Sequence, residues 1–507
     1  MNNLLQKILS NPGYWFGDHQ CSHCAGAAAV DPSDPFSREL TRRQFFARSA
    51  KGIGVIALAS LLQPRATASV AVANQESAIE TALPHFAPKA KRVIYLFQSG
   101  APSQLDLFDP KPRLVEMTGQ PMPESLTKGN RVAQLQGQQL ICVGTKFTFA
   151  QHGKCGAVLS ELLPHTARIV DDICIIRSMH TDPINHDPAV TFLQTGNQQP
   201  GRPVMGSWLS YGLGSENQSL PAFVVLLSGS GGQPLLSRYW HNGFLPSSHQ
   251  GVQFRSDGVL YVKNPEGISG EVRRQLLDGI RELNQINHDA TGDPEVSARI
   301  AQYELAYRMQ TSVPELMDIS NESPQTLELY GAEPGKSSFA NNCLLARRLA
   351  ERGVRFIQLY HRDWDHHGGL PAGITDQCRQ TDKASAALII DLKQRGLLDD
   401  TLVIWGGEFG RTPMNQGNMS NGDYGRDHHN KCYTLWMAGG GIKGGITIGK
   451  TDDLGYDIVE DPIHVHDFQA TILHCLGINH ELFTYRTQGR DFRLTDVRGT
   501  VVKQILA

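Results

Sequence analysis

Short apolar runs set apart by longer mixed-polarity stretches dominate the pattern of this chain. Arg92-Val93-Ile94-Tyr95-Leu96-Phe97 is continuous and ends at Ser99-Gly100. Ile173 to Ile176, Val354 to Tyr360 and Leu402 to Trp405 have the same character, and Ala222 to Leu227 is a fifth candidate. Runs of this length without alternation suit strands buried on both faces of a parallel sheet. Between them the apolar period lengthens to that of helices. Ser338 to Arg352 has apolar residues at Phe339, Cys343, Leu344 and Leu349 and stops at Gly353. Lys383 to Arg395 is a second helix, stopped by Gly396, with a strand five residues on. This alternation predicts a three-layer α/β/α sandwich with a mostly parallel sheet.

Two regions break the rhythm. Residues 228–337 begin as an irregular Gly/Ser-rich segment and continue, from about Gly270 to Met317, as a polar helical stretch. This block reads as a partly helical insertion capping the sheet. Near the start, TRRQFFARSAKGIGVIALASLL places Arg42 and Arg43 ahead of an apolar run from Gly52 to Leu62. That run is too short for a stable transmembrane helix and fits the core of a signal peptide. The paired arginines suit a twin-arginine export signal, which routes folded cargo. The plain alternative is a short buried helix that begins with two arginines. Small-residue sites at Ala66-Thr67-Ala68 and Ala71-Val72-Ala73 suit cleavage. The expected organisation is a signal region over 1–73, a linker over 74–91, and one domain over 92–507 with its insertion at about 228–337. The expected destination is the periplasm or the exterior, with the export machinery as a transient partner.

Composition narrows the partners. A net charge of −3 gives no hint of nucleic acid, and no later segment is apolar enough to span a membrane. Cys21 and Cys24, beside His19 and His23, form half of a zinc-like site inside the expected signal region. The other seven cysteines are scattered and read mostly as buried thiols, because a chain that folds before export folds in a reducing compartment.

Candidate chemistry clusters where the expected strands end, which is where ligands bind in open α/β sheets. After the first strand come Asp106 and Asp109. After Ile173–Ile176 come Ser178, His180, Thr181, Asp182, His186 and Asp187. After Val354–Tyr360 come His361, Asp363, Asp365, His366 and His367. After Leu402–Trp405 come Glu408 and Arg411, then Arg426, Asp427, His428, His429 and Lys431. Imidazoles and carboxylates are the donor set of divalent ions such as zinc, manganese, calcium or iron. Neighbours such as His366 and His367 point different ways, so one of each pair supports rather than binds.

Four segments resemble the alkaline phosphatase and sulfatase superfamily. VIWGGEFGR resembles a strand and metal-binding motif, with Glu408 at the acid and Phe409 where the motif has His. HDPAVTFLQTG resembles the nucleophile segment, matching at Pro188, Leu193, Thr195 and Gly196. HDFQATILHCLGI is similar to a stretch near the end of that catalytic domain, matching at Asp467, Thr471, Leu473 and Gly477. CYTLWMAGGGIKGG resembles the strand and turn before it. More closely, the chain resembles a twin-arginine-exported, sulfatase-related family of unassigned function that shares its WDxH, GEFGRTP and GRDHH signatures. The resemblance implies an alkaline-phosphatase-like sandwich with metal-binding loops at one sheet edge.

The departures shape the functional expectation. His186 stands where a sulfatase has its Cys or Ser, and Val190 where it has Arg. Gln98 and Ser99 replace two metal-binding aspartates. What remains is a metal-dependent hydrolase of a phosphate, sulfate or related ester. In it Asp365, His367, Glu408, Asp427 and His428 are expected ligands. Asp106 and Asp109 either replace the missing acids or serve turn chemistry. His186 is a further ligand, a general base or a nucleophile, or a helix-start residue bonded to backbone. Arg411 and Arg426 hold an anionic substrate or form structural ion pairs. The alternative is a catalytically silent exported relative that binds an anionic small molecule, a glycan or a partner protein.

Overall fold

The computed structural model describes residues 83–507, apart from 233, 256–263, 265–266 and 420–421. The twin-arginine segment, the Cys21–Cys24 cluster and the start of the linker lie outside these residues. The last linker residues are tied down: Phe86 N–H donates to Gly477 O, and Lys89 and Ala90 N–H both donate to Cys475 O.

Among the described residues, eleven strands build the central sheet and the ribbon beside it. They are β1 (Arg92–Gln98), β2 (Ile173–His180), β3 (Phe223–Ser228), β4 (Val252–Phe254), β5 (Phe356–His361), β6 (Thr401–Gly406), β7 (Gly410–Gln416), β8 (Gly425–His429), β9 (Tyr433–Ala438), β10 (Ile446–Ile448) and β11 (Ile463–His464). Nine form one sheet in the order β10-β2-β9-β6-β1-β5-β3-β4, with β11 also on β2. Only β9 runs against its neighbours β2 and β6; the other pairings are parallel. All five expected strands are present in this sheet.

Every residue of β1 is buried, so the strand serves two cores at once. A one-turn helix, α1 (Gln104–Leu107), follows it and carries Asp106. Ile94 and Leu96 face one core with Leu344 and Leu388. Val93, Tyr95 and Phe97 face the other with Leu193, Trp208 and Phe468. The first core is covered by α6 (Phe339–Glu351) and α7 (Leu370–Gln394). The second is covered by α2 (His186–Thr195), α3 (Met205–Leu213) and α8 (Val465–Cys475). These are the three layers expected. Each fully buried aliphatic side chain contributes roughly 1.5–3 kcal/mol, and in sum they offset the burial of polar groups at the sheet's edge.

The caps follow chemistry. Ser338 accepts from Asn341 N–H at the start of α6, and His464 with Asp467 forms a reciprocal cap on α8. α7 begins at Leu370 rather than at Lys383, and after an apolar first turn its next two turns are polar. Tertiary bonds hold them: Gln377 Oε1 meets His361 Nε2 at 2.8 Å, and Asp382 accepts from His165 and Thr166 N–H.

Residues 228–337 hold the short edge strand β4, then α4 (Gly270–Thr291) and α5 (Pro294–Met317), parted at Gly292. The seven cysteines among the described residues are unpaired, and all but Cys155 are buried. No helix among those residues is long and apolar enough to cross a membrane.

Candidate metal centre

Strands β1, β5 and β6 lie side by side and end together, so the loops after them meet above one edge. The loop after β5 runs close under the first. A Cβ on Gly100 (φ +109°) would sit 2.7 Å from Asp365 N, so only glycine lets this loop approach. The loop after β6 supplies Glu408 and leads into β7, which pairs with β8 in an antiparallel ribbon. Its register slips between Arg426 and His428. A bulge of this kind re-aims adjacent side chains. Here Arg426 goes to Asp106, His428 to Asp365, and His429 to the Tyr456 carbonyl.

Asp365 Oδ1 is the hub. Arg411 Nη2 lies 2.6 Å away, His367 Nε2 2.9 Å, His186 Nε2 3.1 Å and His428 Nε2 3.5 Å. His186, Asp365, His367 and His428 each offer one donor atom, all within 4.8 Å of one another. His428 and His367 face each other through Nε2 at 3.1 Å.

The far nitrogens decide what these rings can do. His186 Nδ1 lies 2.5 Å from Glu408 Oε1, His428 Nδ1 3.0 Å from the Ile184 carbonyl, and His367 Nδ1 2.5 Å from Gln416 Oε1. Each partner is an acceptor, so each Nδ1 carries the hydrogen and each neutral ring turns its Nε2 lone pair inward. Gln416 is oriented in turn by donating to Gln134 Oε1 at 2.9 Å. His186 Nε2 is buried and has no aligned hydrogen-bond partner. Three inward lone pairs and a carboxylate repel one another unless a cation or extra protons sit among them. Histidine ligands characteristically hold an acceptor on the other nitrogen in this way.

Electrostatics agree with the crowding. Burial pushes the Asp365 carboxyl up, but contacts with His186, His367, His428 and Arg411 hold it far below the usual carboxylate range. Burial lowers His186, yet Asp365 and Glu408 outweigh it and the net direction is up. Burial takes His428 down, against the pull of Asp365. Of these two rings, His186 keeps a proton more readily. Phe409 packs on both, with ring centroids 4.8 Å from His186 and 4.9 Å from His428. The cluster opens on the His367 side, whose side chain is 25% exposed against 4–9% for the other three. Gln134 Nε2 stands over that opening, 3.3 Å from His367 Nε2.

The structure brings Asp365, His367 and His428 together with His186 and sets the other expected residues outside that group. Glu408 is fully buried behind the cluster, where its carboxylate accepts from His186 Nδ1 and from Gly100 N–H at 3.1 Å. It orients a donor and is not one of the converging four. Asp427 accepts from Gln134 and Leu135 N–H through Oδ2 and from His428 N–H through Oδ1, so it anchors the loop that carries Gln134. Asp106 is closed off with Arg426: both are fully buried, 2.8 Å apart, and Tyr424 and Ser103 complete the carboxylate. Arg426 also donates through Nη1 to the Val143 and Thr412 carbonyls and is fully buried. Arg411 is likewise taken up by Asp365 and by the Gly100, Ala101 and Arg426 carbonyls.

Asp109 pairs with Lys111 and Thr451, and Ser178 donates to the Asp461 carbonyl. His361 lies between Ser228 and Gln377. Sequence reasoning missed Gln134, Gln416 and Gly100, because amides and glycines carry no metal signature. Gly100 and Gln416 at least lie near expected acids in the sequence, whereas Gln134 lies in a stretch with neither acid nor histidine.

A family model described as "Protein of unknown function (DUF1501)" matches residues 90–506. The chain belongs to this family. The DUF1501 match covers every element of the centre, from β1 to β11. No curated protein matches the DUF1501 chain. Among solved structures it is similar to a sulfatase, PsFucS1, from Pseudoalteromonas sp., at 11% identity and a TM-score of 0.33, covering 79% of this chain and 73% of that one. It is also similar to alkaline phosphatase from the Antarctic bacterium TAB5, at 10% identity and a TM-score of 0.31, covering 77% and 99%. A third is Ps i-CgsB, solved with a neocarrahexaose, at 9% identity and a TM-score of 0.32, covering 76% and 72%. Scores this low carry nothing about activity from those proteins to the DUF1501 chain.

Proposed function

We propose that this protein is an exported metal-dependent hydrolase acting on a phosphate, sulfate or related ester, without the usual sulfatase nucleophile. The observation that carries the proposal is the inward convergence of three imidazole Nε2 atoms on Asp365, each ring fixed through Nδ1 by an acceptor. Asp365, His367 and His428 would hold a divalent ion, with His186 as fourth donor. The nitrogen-rich set favours zinc, manganese or iron over calcium, which takes oxygen ligands. When bound, such an ion acts as a Lewis acid toward an ester oxygen and activates water near neutral pH.

The chain's own residues supply the rest. Glu408 keeps the His186 hydrogen on Nδ1 and raises the basicity of Nε2. Arg411 keeps Asp365 ionised and in place. Phe409 walls off one side against water, and access is left on the His367 side. The twin-arginine segment supports export of the folded form to the periplasm or beyond.

The second reading is a silent relative that binds an anionic glycan or a partner protein, and one observation favours its partner-protein form. Both arginines expected to grip an anion are engaged internally. Metal analysis of the purified protein, with a screen of phosphate and sulfate monoesters, separates the readings. The hydrolase reading expects a bound divalent ion, its loss in Asp365→Ala and His428→Ala, and turnover that follows metal content. Full metal content in both variants would remove these residues from the centre. Full loading with no turnover of any ester favours the binding reading.

A further inference from the structure

Helix α4 is built inside out. Its polar face meets the body of the protein: Arg274 bonds Glu304 of α5 at 2.7 Å and lies over the Tyr307 ring, and Arg281 also approaches Glu304. Leu277 alone among its aliphatic residues is buried. At 100° per residue, Val272, Leu276, Ile280, Leu283 and Ile286 form a stripe on the opposite side. All five are exposed, Leu283 to 69% and Ile286 to 66%. A stripe this continuous on a surface helix marks an interaction site. Gly279 lies in its middle, and nothing stands within 4 Å of where a Cβ would be.

Four of its five residues fall in pairs about that glycine, one pair exact and one a single residue out of step, and Ile280 has no counterpart. Val272 and Ile286 lie seven residues before and after it, Leu276 three before, and Leu283 four after. An antiparallel two-fold through Gly279 would set Val272 against Ile286 of a second copy and Leu276 against its Leu283. The bare glycine lets the helix axes come close at the crossing. Under the same two-fold no like charges come level: Arg273 meets the level of Gln285 of the second copy, and Glu271 that of its Asn287. This is the self-complementarity that a two-fold interface requires. A membrane surface fits less well, because the helix carries three arginines and four carboxylates and so has no basic excess to attract anionic lipid.

We propose that α4 is a homodimerisation surface, with a second copy of this chain packed antiparallel across Gly279. The helix is about 33 Å long and the contact one helix wide, less than the ~800 Å² per partner of a standard interface, so the association is of the weak, reversible class. The inference is independent of the metal centre. The test is sedimentation of the full-length protein across concentration. Twice the chain mass is expected at about 100 μM, with Leu283→Glu weakening association at least about tenfold. Because Leu283 is exposed, this variant should keep wild-type circular dichroism. Gly279→Cys should form an intermolecular disulfide on mild oxidation, read against wild type and Gln285→Cys, which places the thiol off the stripe. A monomer throughout the range, equal cross-linking of the two cysteine variants, or flotation of the wild type with neutral or anionic vesicles in place of self-association would overturn the proposal.

Discussion

Glu408→Gln is the sharpest test of how the centre is built. The amide oxygen still accepts from His186 Nδ1 and from Gly100 N–H, so the ring keeps its orientation. What goes is the buried negative charge that makes His186 Nε2 a better donor. Loss of such a supporting partner typically lowers metal affinity 10–100-fold, or about 1.4–2.7 kcal/mol. Removing a converging group, as in Asp365→Ala, should abolish binding at the same metal concentration. Titration of metal-free protein against a chromophoric chelator measures wild type and both variants on one scale. Asp109→Asn is the control, with affinity expected unchanged, because its carboxylate is held by Lys111 and Thr451 rather than by any of the four donors. If Glu408→Gln empties as completely as Asp365→Ala, Glu408 binds the ion directly and its supporting role is refuted.

Other expectations rest on single contacts. Arg426→Met strands Asp106 in a fully buried site and should cost about 3–5 kcal/mol in urea unfolding; full stability with weakened anion binding would return Arg426 to the substrate. A Cβ at Gly425 would meet the His367 carbonyl oxygen at 1.9 Å, so Gly425→Ala should lose roughly 1–3 kcal/mol and weaken metal binding together, and a variant unchanged in both would refute this. Burial pushes His429 down to about 4, against ~6.5 in the unfolded chain. Between those values the unfolded chain binds the proton and the native chain does not, so stability falls as pH falls through this window, by roughly 3 kcal/mol in all. His429→Gln keeps a donor for the Tyr456 carbonyl and should flatten that slope between pH 7 and 4; an identical slope would sink the assignment.

The strands were legible because a strand buried on both faces needs an unbroken apolar run, and β1 is one. Glycine stops were legible for the same local reason: Gly353 and Gly396 take φ of +76° and +67°. The first half of α7 was not, since its polar residues are helical only through partners such as His361 and the His165–Thr166 backbone. At the edge, the clusters themselves could be read. Which side chain turns inward could not, because that depends on a bulge and on residues hundreds of positions away. Asp106 and Arg426 show the limit: neither has a local feature that announces the other, and only the folded sheet brings them together. Gln416 and Gln134 show another, since an amide acquires its meaning from the ring beside it.

The donors of the centre come from positions 186, 365, 367 and 428. A ribosome must therefore finish most of the polypeptide before the ion's cage can close, and a nascent chain offers only isolated, weak handles. An ion bound here would be captured late, once these distant segments have come together. Its identity would then follow from what the surrounding fluid supplies at that moment.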